Sequence, residues 1–214
     1  MSVEQSDFTG AADVRRDQML RAALDVIAER GFSETRISDV AQRAAVSPAL
    51  VIYYFKTKDR LLTEAMRFAE DAWYEEGARR MGEIESAAGR LEEIVAMSCM
   101  PERDGTQTES WTVWLDLWAQ AVRHKNVAKV REEFDERWRE TIRAVVREGQ
   151  RSGEFRNVDV EDFTVTLSSL LDGLAVQIAL ADPVVDADLA YRVSMRLASQ
   201  LLGFEWAGRR GQRG

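Results

Sequence analysis

The segment of residues 37–62, ISDVAQRAAVSPALVIYYFKTKDRLL, constrains the fold of this chain more than any other stretch. Its first apolar side chains stand at positions 37, 40, 41 and 44, which is the spacing of one buried helical face. After a short connector, Ser47 can cap a second helix with its hydroxyl, and Pro48 then occupies the first helical position. The small alanines near the connector let the two helices approach closely. The segment predicts a helix-turn-helix, whose second helix enters the major groove of DNA.

Matching positions on both sides of this segment carry a family resemblance. An amphipathic helix comes first, with Leu20, Ala23, Leu24, Ile27 and Ala28, and it stops at Gly31-Phe32. The match continues in register through Thr35, Ile37, Val40, Ala41, Ala44, Val46, Ser47, Tyr53, Phe55, Lys56, Lys58, Leu61 and Leu62. Over residues 14–73 the chain therefore resembles the N-terminal domain of the TetR family of transcriptional regulators. It departs from the family at Ala45 and Ala49, where glycine is common, at Arg36 (often threonine) and at Ile52 (often tyrosine).

The resemblance implies which residues contact DNA. The expected contacts are Thr35, Arg36, Ser47, Pro48, Ala49, Leu50, Tyr53, Tyr54 and Lys58. Ala49 and Leu50 offer only apolar contact, for instance to a thymine methyl group. The two tyrosine hydroxyls can donate to phosphates, and Lys58 begins the next helix, where its charge and the free amides suit a phosphate. The other apolar side chains of the second helix are expected in the core: Val51, Ile52 and Phe55.

The charge distribution permits this function without proving it. The net charge of −8 is unusual for a DNA-binding protein. The first 60 residues, however, hold nine basic and nine acidic residues, so the whole excess of acid lies in the rest of the chain. Acidic flanks repel DNA nonspecifically, while Arg15, Arg16, Arg43, Lys56 and Lys58 can still meet phosphates locally.

The periodicity beyond the helix-turn-helix stays helical and predicts an all-α fold. We expect a disordered N-terminal arm over 1–12, a DNA-binding domain over 13–60, a larger ligand-binding and dimerisation domain over 61–207, and a disordered basic tail over 208–214. The single cysteine, Cys99, excludes an internal disulfide and favours a reducing compartment. With no signal-like N-terminus and no uninterrupted apolar span, we expect a soluble cytoplasmic protein without membrane contact.

Tryptophans are concentrated in the second part of the chain. The stretches ESWTVWLDLWAQAVRH, FDERW and SSLLDGLAVQ resemble the BetI-type C-terminal region, a branch that includes a choline-responsive repressor. The resemblance implies a mostly apolar and aromatic effector pocket lined by Met66, Trp73, Met97, Trp111, Trp114, Trp118, Phe134, Trp138 and Leu171, with Cys99 as a further candidate. Aromatic faces near Asp116 or Asp172 can hold a quaternary ammonium group. The competing interpretation is that these tryptophans form the core.

The stretch of residues 159–181 is apolar on more than one side, so one face needs a second surface to cover it. The resemblance implies a homodimer through this helix and the last one. We expect its contacts at Val165, Val176, Leu180, Val193 and Leu197. A two-fold dimer predicts a roughly palindromic operator, with half-sites about one helical turn (~34 Å) apart. The alternative is a helix buried within its own subunit.

Catalysis is not expected. The only histidine, His124, lies between Arg123 and Lys125 and has no recognisable nucleophile with it, and we expect neither a metal nor a cofactor. Three hypotheses remain: a ligand-responsive repressor of a palindromic operator, a TetR-like dimeric interaction module that no longer binds an operator, and an all-helical enzyme. The sequence favours the repressor.

Overall fold

The computed structural model describes residues 4–99 and 107–208, with side chains for 13–99 and 111–208. These residues form nine α-helices and no strand, which confirms the all-α fold. The helices are α1 (Glu4–Arg30), α2 (Ile37–Arg43), α3 (Pro48–Phe55), α4 (Lys58–Gly82), α5 (Ala87–Cys99), α6 (Gln107–Ala121), α7 (Lys125–Ser152), α8 (Val160–Ala179) and α9 (Ala187–Leu202). Within these residues, none of the helices is both long and apolar enough to cross a membrane.

The N-terminal segment differs from the expected disordered arm. The helix α1 begins at Glu4, so residues 4–12 continue that helix, while residues 1–3 lie outside the described residues. Once a helix is nucleated, each added residue gains a hydrogen bond at little further cost, and this stretch contains no proline to stop it. Of the expected tail, only Gly208 is described.

The chain divides into two compact units, and the first combines residues 1–73 with 112–131. It therefore reaches beyond the predicted DNA-binding domain of 13–60. The difference arises because α4 continues without a break from Lys58, and because the second half of α6 belongs to this unit. Its core comes mostly from α1 to α4: Met19, Leu20, Ile27, Val40, Val51, Phe55, Leu61 and Leu62.

The second unit combines residues 74–111 with 132–214. Its core is built from α5, α7, α8 and α9, with Leu91, Ile94, Ile142, Phe163, Leu167, Met195 and Leu202 among the buried side chains. The start of α8 is capped as the sequence predicts, because Asp159 Oδ1 accepts from the N–H groups of Glu161 and Asp162 at 2.9 and 3.0 Å. The helix α9 ends at Leu202 and is capped by Gly203, whose φ of +75° is the left-handed conformation that glycine adopts without strain.

Candidate nucleic-acid interface and effector domain

The start of α3 has the geometry that the sequence predicts. Ser47 lies in an extended conformation, and its Oγ accepts from the N–H of Leu50 at 3.2 Å. Pro48 follows at the first helical turn, where a missing N–H costs nothing. Val51 and Phe55 are buried, and their spacing of four residues fixes the inner face of α3. The local sequence thus determines which side of this helix faces outward.

The turn between α2 and α3 carries backbone strain. Ala45 has a φ of +52°, in the left-handed region that costs an L-residue about 1–2 kcal/mol. The turn is held because the N–H of Val46 donates to the carbonyl of Ala41 at 2.9 Å. From α1, the Gln18 side chain donates to the carbonyl of Ala44 at 3.0 Å. The turn thus keeps its shape without the glycine that is common here in the family.

The outward face of α3 is mostly apolar. Ile52 is 47% exposed and Tyr53 is 70% exposed, so the prediction of a buried Ile52 is wrong. Successive residues of a helix are rotated by about 100°, so the side chain of Ile52 lies off the face on which Val51 is buried. Ser47, Pro48 and Ala49 are also exposed, whereas the expected contacts Leu50 and Tyr54 are half-buried.

Thr35 is not available for the expected DNA contact. Its side chain is wholly buried, and its Oγ1 donates to the carbonyl of Gly31 at 2.7 Å. This hydrogen bond stabilises the loop between α1 and α2, because it gives the buried Thr35 hydroxyl a partner. Its neighbour Arg36 is exposed at the start of α2, and its guanidinium forms no ion pair with another residue whose side chain is described.

Several cations of the first unit are already engaged. The Lys58 ammonium is half-buried and donates to the carbonyl of Ser33 at 2.6 Å. Arg43 pairs with Glu29 at 2.6 Å, and the hydrogen bond that its guanidinium donates to that carboxylate holds the pKa of Arg43 above its usual value. Arg16 pairs with Glu64 at 2.7 Å. Arg36 is therefore better placed than these to add a new phosphate contact.

The loop between α1 and α2 is fastened by α6, which sequence reasoning did not predict. The carboxylate of Asp116 accepts from the N–H of Phe32, and the Gln120 side chain donates to Ser33 Oγ at 2.6 Å. Asp116 therefore has a structural role in this loop, and its expected contact with an effector stays a prediction. Gly31 permits the approach because its φ is +81° and a Cβ there would lie 3.1 Å from Asp116 Oδ2.

The predicted effector contacts vary in exposure. Buried side chains among them are Met66, Met97, Phe134 and Leu171. Partly buried ones are Trp73, Trp111, Trp114, Trp118 and Trp138. None of them lines the open cleft of about 840 Å³ on the second unit, whose walls include Met81, Arg90, Glu140 and Glu148. Their role in effector binding stays a prediction.

Two groups of the second unit are unusual for a core. The pKa of Asp172 is raised to about 6, chiefly by desolvation and also by the nearby carboxylate of Asp135, while Arg139 acts in the opposite direction. The indole N–H of Trp111 is buried and finds no acceptor among the described residues. A half-buried carboxylate and a buried donor that lacks an acceptor among the described residues are both costly unless another group satisfies them.

Apolar side chains in and directly after α8 are left uncovered by the other described residues of the chain. Val165 is 54% exposed and Leu180 is 68% exposed, although the opposite face of α8 is buried in the core. The remaining predicted dimer contacts, Val176, Val193 and Leu197, are partly exposed. Both faces of α8 thus carry apolar residues, as the sequence indicates.

Comparison with known proteins matches both parts of the chain. Residues 19–65 match the family model of bacterial regulatory proteins of the tetR family, and residues 87–203 match that of the BetI-type transcriptional repressor C-terminal region. The HTH-type transcriptional regulator BetI of Burkholderia mallei is 29% identical over 196 residues, which cover 90% of this chain and 96% of that protein.

Solved structures agree with these matches. A transcriptional regulator from Saccharomonospora viridis, crystallised in complex with choline, superposes with a TM-score of 0.78 at 28% identity, covering 86% of this chain and 95% of the other. A TetR-family regulator from Rhodococcus sp. superposes with a TM-score of 0.78 at 26% identity, covering 88% and 98% of the two chains.

Proposed function

Because this chain belongs to the TetR family of bacterial transcriptional regulators and has a BetI-type C-terminal region, we propose that it is a homodimeric repressor released from a palindromic operator by a small organic cation. Ligand-responsive DNA binding follows from the family. The dimer, the operator symmetry and the chemical class of the effector are the parts that we propose.

The observation that carries the proposal is the outward face of α3. The capped start at Ser47, the buried Val51 and Phe55, and the exposed Tyr53 together present this helix as the DNA-reading element of a helix-turn-helix. Arg36 and the Tyr53 hydroxyl are the groups best placed to meet phosphates, since neither is buried.

The dimer is supported by the uncovered apolar face of α8 and α9. Val165 and Leu180 lose contact with water only if a second surface covers them. A second copy supplies that surface by two-fold symmetry, because the same patch then faces itself. Two recognition helices related in this way bind half-sites about one turn of DNA (~34 Å) apart.

The cationic effector is supported by Asp172 and by the choline-bound relative. A quaternary ammonium group needs no hydrogen bond, so it can neutralise a carboxylate that burial makes costly to ionise. The indole N–H of Trp111, which has no acceptor among the described residues, can donate to a hydroxyl oxygen of such an effector. Choline combines these two features in one molecule.

The effector acts by shifting a population. It can release the operator only if it binds more tightly to a state of the dimer whose recognition helices do not fit adjacent grooves. A physical route is the helix α6 (Gln107–Ala121), because Asp116 and Gln120 on this helix hold the loop that precedes α2.

The proposal is tested by fluorescence anisotropy with DNA from upstream of the gene, against scrambled competitor at two salt concentrations. We expect competitor-resistant binding at two protomers or more per site and its loss on adding choline. The neutral isostere 3,3-dimethylbutanol, which lacks the positive charge, should release the operator far less well. Binding that salt and competitor erase equally would instead favour the interaction-module hypothesis.

A further inference from the structure

The side chains of α3 lack the groups with which proteins usually read bases. Its sequence is PALVIYYF, so it has no arginine, lysine, asparagine or glutamine. Those four residues make the hydrogen bonds to guanine and adenine edges that account for most direct readout in the major groove. The only hydrogen-bonding side chains of the helix are Tyr53 and Tyr54, and Tyr54 is half-buried.

Instead, α3 presents a contiguous apolar surface. Ala49 and Ile52 are three residues apart, so they are neighbours on one side of the helix. Both are exposed, and Ile52 is among the few large aliphatic side chains of the described residues that lie nearly half in water. Tyr53 lies next to them, four residues after Ala49. The surface is placed where a recognition helix meets base edges.

We infer that Ala49 and Ile52 read the operator through the C5-methyl groups of thymines. This inference rests on the proposed DNA binding and specifies which feature of the DNA is recognised. The thymine methyl is the one apolar group that the major groove displays. Each operator half-site therefore carries thymine at one or two positions facing these side chains.

The same surface acts against other base pairs. A cytosine at such a position puts its amino group against an aliphatic side chain, and a guanine does the same with its carbonyl oxygen. These groups lose water without gaining a partner, which is more costly than the mere absence of a contact. Arg36 and the Tyr53 hydroxyl supply phosphate contacts that orient the helix without reading sequence.

The test compares thymine with deoxyuridine, which differs only by the missing methyl group. Purified protein first selects its best sites from a random duplex library, and each thymine of the selected half-site is then replaced in turn. Removing one buried methyl group should weaken binding about three- to fivefold. One replacement in each half-site should weaken binding about tenfold or more.

A double-mutant cycle assigns the methyl contact to the protein. At the thymine that Ile52 touches, the ratio of thymine affinity to deoxyuridine affinity should fall toward one in Ile52→Ala. In Ile52→Val most of this ratio should remain. Both variants should fold, because the side chain is exposed. Val122→Ala removes an aliphatic group that is 87% exposed in the turn after α6, and it should keep the full penalty.

A second arm restores the methyl group on a different base. Changing the critical thymine to cytosine should weaken binding, and 5-methylcytosine, which carries a methyl group at the same place, should recover part of the loss. A specific site that tolerates deoxyuridine everywhere overturns the inference but leaves the proposed function intact. An equal deoxyuridine penalty in Ile52→Ala and in the wild type also overturns it. Failure to select any specific site overturns the proposed function itself.

Discussion

The carboxylate of Asp116, on α6, accepts a hydrogen bond from the backbone N–H of Phe32, 84 residues earlier in the chain. Phe32 opens the loop that leads to Thr35 and the start of α2. The contact ties the loop before the helix-turn-helix to the C-terminal part of α6, within the first unit. Its removal should affect DNA binding without touching a DNA-contacting side chain.

We expect Asp116→Asn to lower both stability and operator affinity. A hydrogen bond to a charged acceptor contributes about 1.5–3 kcal/mol, and asparagine keeps the shape but loses the charge. Urea denaturation should show a loss of about 1 kcal/mol or more, and anisotropy should show weaker specific binding. Glu132→Gln, an exposed change on α7, is the matched control and should alter neither quantity. If Asp116→Asn were as stable as the wild type, the charge of Asp116 would not stabilise this loop.

Substitutions at the α2–α3 turn should have opposite signs at adjacent positions. Ala45→Gly should stabilise the protein by about 0.5–1 kcal/mol, because glycine adopts the φ of +52° without a Cβ clash. Ala44→Gly should destabilise it by about 1 kcal/mol or more, since Ala44 is buried with an ordinary φ of −79°. The shift of the urea unfolding midpoint measures each change in stability, provided that the m-value stays constant. A destabilising Ala45→Gly would show that the turn is not strained.

The charge of Arg36 should appear in the salt dependence of DNA binding. Arg36→Ala should weaken binding to all sequences and reduce the slope of log K against log salt by about 0.9 for one lost phosphate contact. The urea midpoint should stay unchanged, because this guanidinium pairs with no other described residue. Lys58→Ala should lower the midpoint as well, since its ammonium holds the carbonyl of Ser33. A Lys58→Ala variant of unchanged stability would show that this hydrogen bond does not stabilise the fold.

Asp172 should make stability fall as pH rises from about 4 to 6. Its pKa is about 6 in the folded chain and about 3.9 in an unfolded one, so the folded state binds the proton more tightly over this range. Below the unfolded pKa both states are protonated and the difference disappears. Asp172→Asn should therefore be more stable than the wild type at pH 7, by on the order of 1–2 kcal/mol, and equal to it near pH 3.5.

The same carboxylate should make effector binding depend on pH. Choline should bind more tightly at pH 7 than at pH 5, because only the ionised Asp172 attracts a cation. Calorimetry should show proton release on binding near pH 6, and Asp172→Asn should abolish both effects. Choline affinity that is flat between these pH values would place the effector elsewhere.

Breaking the uncovered face of α8 should produce monomers. Val165→Glu places a carboxylate in the proposed apolar interface of each protomer, where burial of an unpaired charge is strongly unfavourable. Light scattering should report a halved mass, and operator affinity should fall because the two half-sites are no longer bound together. Val122→Glu, on an exposed turn of the first unit, should leave the mass unchanged.

The amino-acid sequence was sufficient to predict the helix-turn-helix and the start of its second helix. The cap at Ser47, the proline after it and the buried side chains of Val40, Ala41 and Ala44 depend on neighbours within about two helical turns. Helical period and capping are local properties, so the pattern in the chain suffices to predict them. The acidic cap of α8 at Asp159 was predictable for the same reason.

Which of these side chains are exposed and able to contact DNA or an effector depends on the packing of the whole fold. Thr35 is a plausible phosphate ligand by resemblance, but packing buries it and gives its hydroxyl to Gly31. Ile52 is a plausible core residue by composition, but the inner face of α3 is taken by Val51 and Phe55. The engagement of Asp116 with Phe32 joins residues far apart in sequence. Such contacts depend on how helices pack, and no local pattern encodes that packing.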